Sequence, residues 1–352
     1  MKKLVTSLLL TVLLVISTNP AYLATPEFVD AASNLIVHYI DVGQGDATLL
    51  QYGGKNTLID AGEEHKFDQL NSYLKKKNVK QIHNLVLTHP DADHCGGADY
   101  VMAKYKVKNI YMTTYQSKSN EYKEVLDAIK KYKVKRTNVK KGSTIDIGGI
   151  KAKVLSADVK ADNPNDSSIV LKVVHNKKSF LFTGDIGAKV ENQLVDKSDV
   201  NVDVLKVSHH GSDYSSAIRF IKATSPTYSV ISVGKNNRYG HPVNTVLKRL
   251  EKYSKEILRT DRNGSIVITS TGTKLSYKTE KKTTNNSSTS SKPSGDSSST
   301  AGISSLTNSS VVYITATGSK FHKKKCGSGT YKKTTYGKVK NTKLTPCKKC
   351  FG

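Results

Sequence analysis

The chain has 352 residues, and its 55 Lys and Arg against 29 Asp and Glu give a formal net charge of +26. This length exceeds what one hydrophobic core usually organises, so we expect one large domain and a smaller appendage. The charge excess is typical of proteins that bind polyanions such as nucleic acid, anionic cell wall or membrane surfaces; a basic surface that only aids solubility is the alternative. Only four cysteines occur, which excludes a small disulfide scaffold.

Residues 1–31 have the pattern of a signal peptide. Two lysines precede an apolar run, Leu4 to Ile16, that is too short to span a bilayer, and Val29 to Ala31 offers a small-residue cleavage site. An uncleaved membrane anchor is the alternative. In either case we expect the rest of the chain outside the cytoplasm, secreted or on a bacterial cell surface, with no transmembrane segment in the mature chain.

Residues 34–278 alternate period-two apolar runs with helical patterns, which predicts a mixed α/β domain. In chain order the predicted strands are Leu35–Ile40, Asn84–Thr88, Ile169–Val174, Phe180–Phe182, Val202–Val207, Tyr228–Val233 and Ser265–Thr269. The predicted helices between them are Lys66–Lys76, Gly97–Tyr105, Tyr122–Lys133, Ala188–Val195, Ser216–Ala223 and Val243–Tyr253.

Residues 279–310 are dominated by Ser, Thr and Asn and are predicted to form a linker, because this composition cannot bury enough apolar area to fold. Residues 311–352 follow as a basic module with eleven Lys and no acidic residue. We expect this module to tether the large domain to nucleic acid or cell-wall polymer, raising its effective concentration there.

The basic module contains ligands for a second, structural metal site. The spacings that suggest it are His322-x-x-x-Cys326 and Cys347-x-x-Cys350, which suit tetrahedral zinc in a module too small for a stable apolar core. A disulfide competes with zinc outside the cell. Zinc is favoured, because one bridge among three cysteines would leave an odd thiol.

The strongest chemical signal lies where the predicted strand Asn84–Thr88 ends. Two His and two Asp, namely His89, Asp91, Asp93 and His94, lie within six residues. A chain that leaves a strand can direct residues two apart at one ion and the next adjacent pair at another. The segment therefore indicates a two-metal site.

Further candidate ligands also stand at strand ends or in loops. Asp185 follows one predicted strand, His209 and His210 follow the next, and His241 lies in a Gly-His-Pro loop. Ligands at the strand ends of one sheet edge can converge without distorting the core. We expect these side chains to complete the site.

Seven motifs in order give the region from about 34 to 278 a family resemblance. The motifs are Asp41–Asp46, Ile59–Gly62, His89–His94, Asn165–Ser168, Thr183–Asp185, Ser208–Ser212 and Gly240–Pro242. With these motifs the sequence resembles the metallo-β-lactamase superfamily and, within it, the extracytoplasmic hydrolase domain of the ComEC family of DNA-uptake proteins. The resemblance implies a four-layer αββα sandwich with the site at one edge.

The resemblance also implies a ligand scheme for two divalent ions. His89 and Asp91 would hold one ion, Asp93 and His94 would hold the other, and Asp185 would bridge both. Asp46 would lie close to the site, or would serve only as a turn residue.

The second ion would be completed by either His209 or His241, and the first ion lacks its usual ligands. Asp91 replaces the second His of the family's H-x-H-x-D-H motif, and no His occurs between His94 and His175 to act as the third ligand. An oxygen-rich first site favours manganese or magnesium over zinc. The residues that could substitute there are Asn165, Asp166 and Ser167.

The implied chemistry is metal-dependent hydrolysis. Asp93 would orient a hydroxide generated at the ions, and His210, or whichever of His209 and His241 is not a ligand, would protonate the leaving oxygen. The basic surface, the basic tail and the eighteen Tyr suit DNA or RNA, so we expect a nuclease or phosphodiesterase. The alternatives are a hydrolase of small esters, lactones or β-lactams, and a catalytically silent DNA-binding protein of the competence type.

Overall fold

The computed structural model describes residues 34–157, 160–281, 310–315, 320–323, 330–339, 342, 344–347 and 350. The expected signal peptide, most of the expected linker and Cys326 lie outside these residues. The chain divides into two compact units, Met1–Thr284 and Asn285–Gly352. Among the described residues, no helix has the length and apolar character needed to cross a membrane.

The first unit contains two large β-sheets. Its strands are β1 (Leu35–Tyr39), β2 (Thr48–Tyr52), β3 (Lys55–Ile59), β4 (Gln81–Val86), β5 (Lys106–Met112), β6 (Lys135–Asn138), β7 (Thr144–Asp146), β8 (Lys151–Ser156), β9 (Val170–His175), β10 (Lys178–Phe182), β11 (Val204–Lys206), β12 (Tyr228–Ile231), β13 (Glu256–Arg259), β14 (Ile266–Ser270) and β15 (Leu275–Thr279). Eight strands form one sheet in the order β15-β14-β1-β2-β3-β4-β5-β6, and seven form the other in the order β13-β12-β11-β10-β9-β8-β7.

Eight helices accompany these sheets in the described part of the first unit. They are α1 (Phe67–Lys76), α2 (Ala92–Cys95), α3 (Ala98–Lys104), α4 (Asn120–Lys131), α5 (Ala188–Lys197), α6 (Ile218–Thr224), α7 (Asn244–Tyr253) and α8 (Thr260–Asn263). Three short 3-10 helices lie at Glu64–Lys66, Asn165–Ser167 and Ser208–Gly211.

The largest apolar cluster that joins the two sheets lies between their inner faces. Val37 and Tyr39 alternate along β1 and meet Phe180 and Phe182 of β10, all of them almost fully buried. The rings of Tyr39 and Phe182 stack with centroids 6.2 Å apart. Burying an aromatic side chain of this kind stabilises the fold by about 2–3 kcal/mol, so this alternation holds the sheets face to face.

Helices cover the outer face of each sheet. One apolar cluster joins α1, α3 and α4 to the eight-stranded sheet, and another joins α5, α6 and α7 to the seven-stranded sheet. The predicted four-layer αββα sandwich is therefore confirmed. Every predicted helix and strand is present, with ends shifted by up to three residues.

The helix α4 shows how local sequence fixes these outer layers. Ser119 caps the helix by accepting a hydrogen bond from the Tyr122 backbone N–H at 3.2 Å. Tyr122, Val125 and Ile129 recur at helical spacing and are buried. They pack in the same cluster as Cys95 of α2, so α4 supports the segment that carries the His89–His94 motif.

Parallel strands bring the chemistry-bearing loops to one edge of the sandwich. The chain runs parallel through β3, β4 and β5 in one sheet and through β10, β11 and β12 in the other. The carboxyl ends of parallel strands meet at the same sheet edge. The Ile169 N–H donates to the Thr88 carbonyl at 2.9 Å, which ties the two sheets together at this edge.

The second unit contains a small four-stranded sheet. Its elements are β16 (Val311–Thr315), β17 (Lys320–His322), β18 (Tyr331–Thr335), α9 (Tyr336–Val339) and β19 (Thr345–Pro346), with strand order β18-β16-β17-β19. Its buried apolar cluster among the described residues is Val312, Phe321 and Val339. So small a core supplies little stability by itself.

Glu191 of α5 is a buried carboxylate that supports the loops around the site. It accepts hydrogen bonds from the Ser208 hydroxyl at 2.8 Å, from the Ser216 N–H at 2.8 Å and from the Ala217 N–H at 2.7 Å. Burial raises the pKa of Glu191 to about 7, although these hydrogen bonds act in the opposite direction. The carboxylate therefore joins α5 to the loops that follow β11.

This raised pKa predicts a pH-dependent contribution of Glu191 to stability. The folded chain keeps the proton between pH 4.5, the ordinary pKa, and about 7, while the unfolded chain loses it. The free energy of unfolding should therefore fall as pH rises through this window, by about 3 kcal/mol, and then stay constant. The Glu191→Gln variant lacks this term, so its stability relative to the parent chain should improve between pH 5 and pH 8 in urea titrations. A stability difference that does not change with pH would contradict the assignment.

Candidate metal centre

Four side chains from three loops converge at the edge of the sandwich. Each of Asp93, His94, Asp185 and His210 offers a ligand atom, and these atoms lie within 4.8 Å of one another. The His94 Nε2 lies 3.3 Å from an Asp185 oxygen. The His210 Nε2 lies 3.1 Å from Asp93 Oδ2 and 3.3 Å from Asp185 Oδ2. This is the donor set that divalent cations such as zinc and manganese accept.

The direction of His94 is fixed from behind. Its Nδ1 donates to Asp60 Oδ2 at 2.8 Å, and Asp60 also accepts from the Thr88 N–H at 2.8 Å and from the Thr88 hydroxyl at 2.7 Å. Asp60 directly follows β3, and Thr88 lies just beyond β4. The parallel pairing of these strands thus turns the His94 Nε2 towards Asp185.

His210 and His89 are oriented in the same way. The His210 Nδ1 donates to the Ser232 carbonyl at 2.9 Å. The His89 Nδ1 lies 3.1 Å from the Thr88 hydroxyl and 3.3 Å from the Ser168 hydroxyl. Both hydroxyls give their own protons elsewhere, to Asp60 and to a backbone carbonyl, so they can only accept from His89. Its Nε2 therefore carries the lone pair.

Three of these buried atoms lack hydrogen-bond partners within the described part of the chain. They are His89 Nε2, His94 Nε2 and Asp185 Oδ1. An unsatisfied buried polar atom costs about 1–3 kcal/mol, so it needs an explanation. Metal-binding histidines characteristically donate from the other ring nitrogen to a carboxylate or carbonyl, as these do. The residues therefore fit a divalent metal ion.

The loop after β11 makes a sharp turn to deliver its two histidines. His209 and His210 both have a left-handed backbone, with φ of 51° and 53°. Such a conformation costs about 1–3 kcal/mol for a residue other than glycine. The turn buries His210 in the centre and leaves the His209 side chain 22% exposed.

A buried lysine, Lys206, forms an ion pair with Asp46 beside the centre. Lys206 is 2% exposed, and its ammonium lies 2.6 Å from Asp46 Oδ2. Burial raises the pKa of Asp46, but Lys206 and His210 outweigh burial and bring it to about 2. Asp46 is therefore ionised beneath the centre, 3.5 Å from the His210 Nδ1.

The charges of the ligand atoms favour a cation. Burial lowers the pKa of His89 to about 3, so this imidazole is neutral, which is the form that binds metals. Burial disfavours a charge on His94, but Asp185 and Asp60 outweigh it and raise the pKa of His94 well above its ordinary value. His210 and His94 hold the pKa of Asp185 well below its usual range despite burial. The ionised Asp185 carboxylate therefore attracts positive charge, either a proton on His94 or a bound cation.

The predicted ligands of the first ion, His89 and Asp91, lie beside the group formed by Asp93, His94, Asp185 and His210. The His89 Nε2 and Asp91 Oδ2 are 3.9 Å apart, and the Asp91 side chain is 39% exposed. Asn165 and Asp166 line a cleft of about 420 Å³ together with Asp185. The Asn165 Oδ1 is buried and lacks a hydrogen-bond partner among the described residues.

The other two late histidines lie beside this group. The His209 Nε2 is 3.8 Å from Asp185 Oδ2. The His241 ring adjoins that of His209, with the two centroids 5.7 Å apart. His210, which the sequence suggests as a proton donor, lies within the compact group of four.

Four residues that orient the centre were not predicted from the sequence. Asp60 and Ser168 belong to the family motifs Ile59–Gly62 and Asn165–Ser168, which could have pointed to them. Lys206 is one of two charged residues in the otherwise apolar run Val202–Val207, which is also a usable signal. Thr88 carries no such signal, because a hydroxyl at a strand end is ordinary.

The comparisons with known proteins agree with this geometry. Residues 40–235 match the Metallo-beta-lactamase superfamily. The chain belongs to this superfamily. It is 34% identical over 252 residues to ComE operon protein 3 of Bacillus subtilis, covering 65% of this chain and 32% of that protein. It is 32% identical over 229 residues to competence protein ComA of Neisseria gonorrhoeae, covering 64% of this chain and 31% of that protein.

The match thus spans about a third of the length of these curated relatives. Among solved structures, the metallo-β-lactamase fold protein YhfI of Bacillus subtilis aligns with a TM-score of 0.44 and 12% identity, over 64% of this chain and 95% of that one. The resemblance that the motifs indicated is confirmed, because within the superfamily the chain is similar to ComE operon protein 3 and to competence protein ComA.

Gly45 provides a test of how the first motif supports the centre. Its φ is +118°, and an added Cβ would lie 2.3 Å from the Asp93 carbonyl oxygen. Gly45→Ala should therefore displace Asp93, destabilise the fold by about 1–3 kcal/mol and weaken divalent binding at least tenfold. Gly54→Ala is the matched control, since Gly54 has φ of +69° with nothing within 4 Å of the added Cβ. Equal divalent affinity of both variants in calorimetric titrations would show that this contact does not position Asp93.

Proposed function

We propose that this chain is a metal-dependent hydrolase that cleaves phosphodiester bonds of nucleic acid at a dinuclear centre. The observation that carries the proposal is the convergence of Asp93, His94, Asp185 and His210, where buried ligand atoms of His94 and Asp185 have no hydrogen-bond partner among the described residues. Proteins of this fold are generally metal-dependent hydrolases, which supports the reaction class. The name of one relative, competence protein ComA, supports DNA as the substrate.

The geometry supports a revised division of roles among the ligands. Asp93, His94 and His210 would hold one ion, with Asp185 shared between two. Divalent ions at such a centre polarise a phosphoryl oxygen and acidify water. The other ion would be held by His89 and Asp91, with Asn165 as the oxygen ligand that replaces the usual third His.

His209 and His241 would face the substrate. His209 lines the cleft, the His241 ring adjoins that of His209, and burial lowers the pKa of each. A neutral imidazole can donate a hydrogen bond to the leaving oxygen as negative charge develops there. His209 is the nearer to Asp185, so we assign it the positioning of the leaving group.

Exposed aromatic side chains at the cleft and beside His241 suit unpaired bases. Tyr214 is 79% exposed and lines the same cleft as Asp185. Tyr239 is 51% exposed, its ring stacks on His241, and the Arg238 guanidinium lies 4.9 Å from its ring centroid. Stacking on such rings contributes about 1–3 kcal/mol per base in single-stranded nucleic acid.

The cellular setting stays part of the proposal. We propose that residues 1–31 are a signal peptide and that the protein acts outside the cytoplasm, secreted or bound to the cell surface. Nucleic acid is the proposed partner, and anionic cell wall is a further polyanion that the basic module could contact.

Replacing a metal ligand should lower the metal content, whereas replacing a residue that only faces the substrate should leave it unchanged. Asp185→Ala and His210→Ala should each lose divalent ion from the centre and reduce cleavage of DNA more than 100-fold. His209→Ala should keep the ions and still lose about 100-fold in kcat. Metal analysis of each folded variant, with a nuclease assay after adding Mn²⁺, Mg²⁺ or Zn²⁺, checks both readings.

Three outcomes of these assays would overturn parts of the proposal. A folded parent chain that binds no divalent ion would exclude the hydrolase reading and leave a DNA-binding protein. Hydrolysis of a β-lactam or lactone panel without cleavage of nucleic acid would identify the small-molecule alternative. Metal retained by His210→Ala would return His210 to the role of proton donor.

We also propose a structural zinc in the basic module. His322, Cys347 and Cys350 offer ligand atoms within 4.8 Å of one another. The Cys347 N–H donates to the Phe321 carbonyl at 3.0 Å, and the Cys350 N–H donates to the Cys347 carbonyl at 2.9 Å. These bonds hold Cys347 and Cys350 near the end of β17. Cys326 is the proposed fourth ligand.

Loss of this zinc should be separable from loss of the catalytic ions. Cys347→Ser should lower the metal content by one ion per chain and abolish the thiolate-to-metal absorption of the Co²⁺-substituted protein. The nuclease activity of the centre on short oligonucleotides should persist, because its ligands belong to the first unit. An unchanged metal content and spectrum would favour a disulfide in this module instead.

A further inference from the structure

A band of lysines lies along one side of the seven-stranded sheet, where two cavities adjoin. One cavity of about 400 Å³ and a second of about 620 Å³ share Lys141, Leu155 and Lys197 in their walls. We call the joined cavities the lysine trough. Its lysines are Lys140, Lys141, Lys151, Lys153, Lys160, Lys172 and Lys197.

Four lysines of the trough have no acidic partner among the described residues. No acidic side chain there forms an ion pair with Lys140, Lys141, Lys153 or Lys197. Lys172 pairs with Asp199, which also lines the trough, at 2.8 Å, and Lys151 pairs with Asp146 at 2.7 Å. The four unpaired lysines are all exposed. They come from three separate segments, after β6, on β8 and at the end of α5, so the fold gathers them.

The floor of the trough is apolar. Leu155, Ala157, Val190 and Leu194 line the first cavity. Val174 lines the second and is 49% exposed, which is unusual for a β-branched residue on a sheet. A concave apolar floor with a lysine rim matches a ligand that has charged phosphates along its edge and less polar groups facing inward.

The helix α5 connects the trough to the candidate centre. Ala188 and Lys189, at its beginning, line the same cleft as Asp185 and His209. Val190 and Lys197 line the trough. A ten-residue helix is about 15 Å long. The path along α5 is thus long enough for more than one phosphate of a nucleic-acid strand.

We propose that the lysine trough binds the phosphodiester backbone of a nucleic-acid strand and leads it to the metal centre. This inference rests on the proposed nuclease function and adds the path of the substrate. Lysine ammonium groups contact phosphates as point charges without reading the sequence. The trough therefore predicts sequence-independent binding that depends strongly on salt.

Binding to a labelled oligonucleotide tests the trough without requiring cleavage. The full chain with Lys140, Lys141, Lys153 and Lys197 all changed to Gln is compared with the parent by fluorescence anisotropy, using a single-stranded 30-mer without added divalent ion. The matched control changes four other exposed lysines to Gln, namely Lys104, Lys106, Lys108 and Lys123. Both variants lose the same net charge.

The trough variant should lose at least tenfold in affinity, and its slope of log K against log salt should fall by about 2–3. The control should change the slope by less than 1, and restoring the four positions as Arg should restore binding. Equal losses in both variants would show that only net charge matters and would overturn the trough. Tighter binding of wall teichoic acid than of the oligonucleotide at equal salt would overturn the nucleic-acid assignment.

A cleavage assay separates this inference from the proposed function. With metal added, the trough variant should lose at least tenfold in kcat/KM on the 30-mer and keep its rate on bis(p-nitrophenyl) phosphate, which is too small to reach the trough. If the parent cleaves neither substrate, the nuclease proposal fails while the binding result still stands. If the parent cleaves the 30-mer and the trough variant cleaves it equally well, the trough inference fails alone.

Discussion

The candidate centre depends on hydrogen bonds made at the far side of its imidazole rings. An imidazole offers two nitrogens, and the bond at one decides the direction and the lone pair of the other. Asp60 fixes His94, the Ser232 carbonyl fixes His210, and two hydroxyls fix His89. Each of these partners lies at or just beyond a strand end, so the sandwich itself sets where the three Nε2 atoms point. A ligand set assembled from distant loops is thereby held as rigidly as the sheets.

A buried ion pair adds a second constraint across the sandwich. Lys206 belongs to β11 of one sheet, and Asp46 lies in the loop between β1 and β2 of the other. An isolated buried charge costs several kcal/mol, so each partner requires the other. Asp46 also donates its backbone N–H to the Asp93 carbonyl at 3.0 Å. The pair therefore couples the position of Asp93 to the register of β11 with β10.

Local patterns predicted the metal-binding motif, whereas contacts between distant strands could not be predicted. The His89–His94 segment is compact in sequence, so its ligand character is visible without a fold. The choice between His209 and His210 depends on a backbone turn with two left-handed residues, and adjacent identical residues give no clue to it. Three strands, β2, β3 and β8, were not predicted although their sequences contain strand features. The Gly53-Gly54 turn is typical of a hairpin such as the one that joins β2 and β3, and β8 alternates Lys with apolar residues. Their polar faces made them resemble loops.

The proposed first metal position differs most from the superfamily pattern, because its donor atoms are mainly oxygens. Asp91 stands where the superfamily pattern has a histidine, and burial raises its pKa to about 6. A cation nearby would favour its ionised form, which adds an anionic oxygen where a neutral nitrogen would otherwise bind. The Asn165 Oδ1 in the same cleft, which has no hydrogen-bond partner in the part of the chain that the structure describes, shifts the donor set further towards oxygen. Oxygen donors suit manganese or magnesium better than zinc, and such ions are characteristic partners of phosphate esters. The residues that depart from the family pattern thus favour the same substrate class as the basic surface.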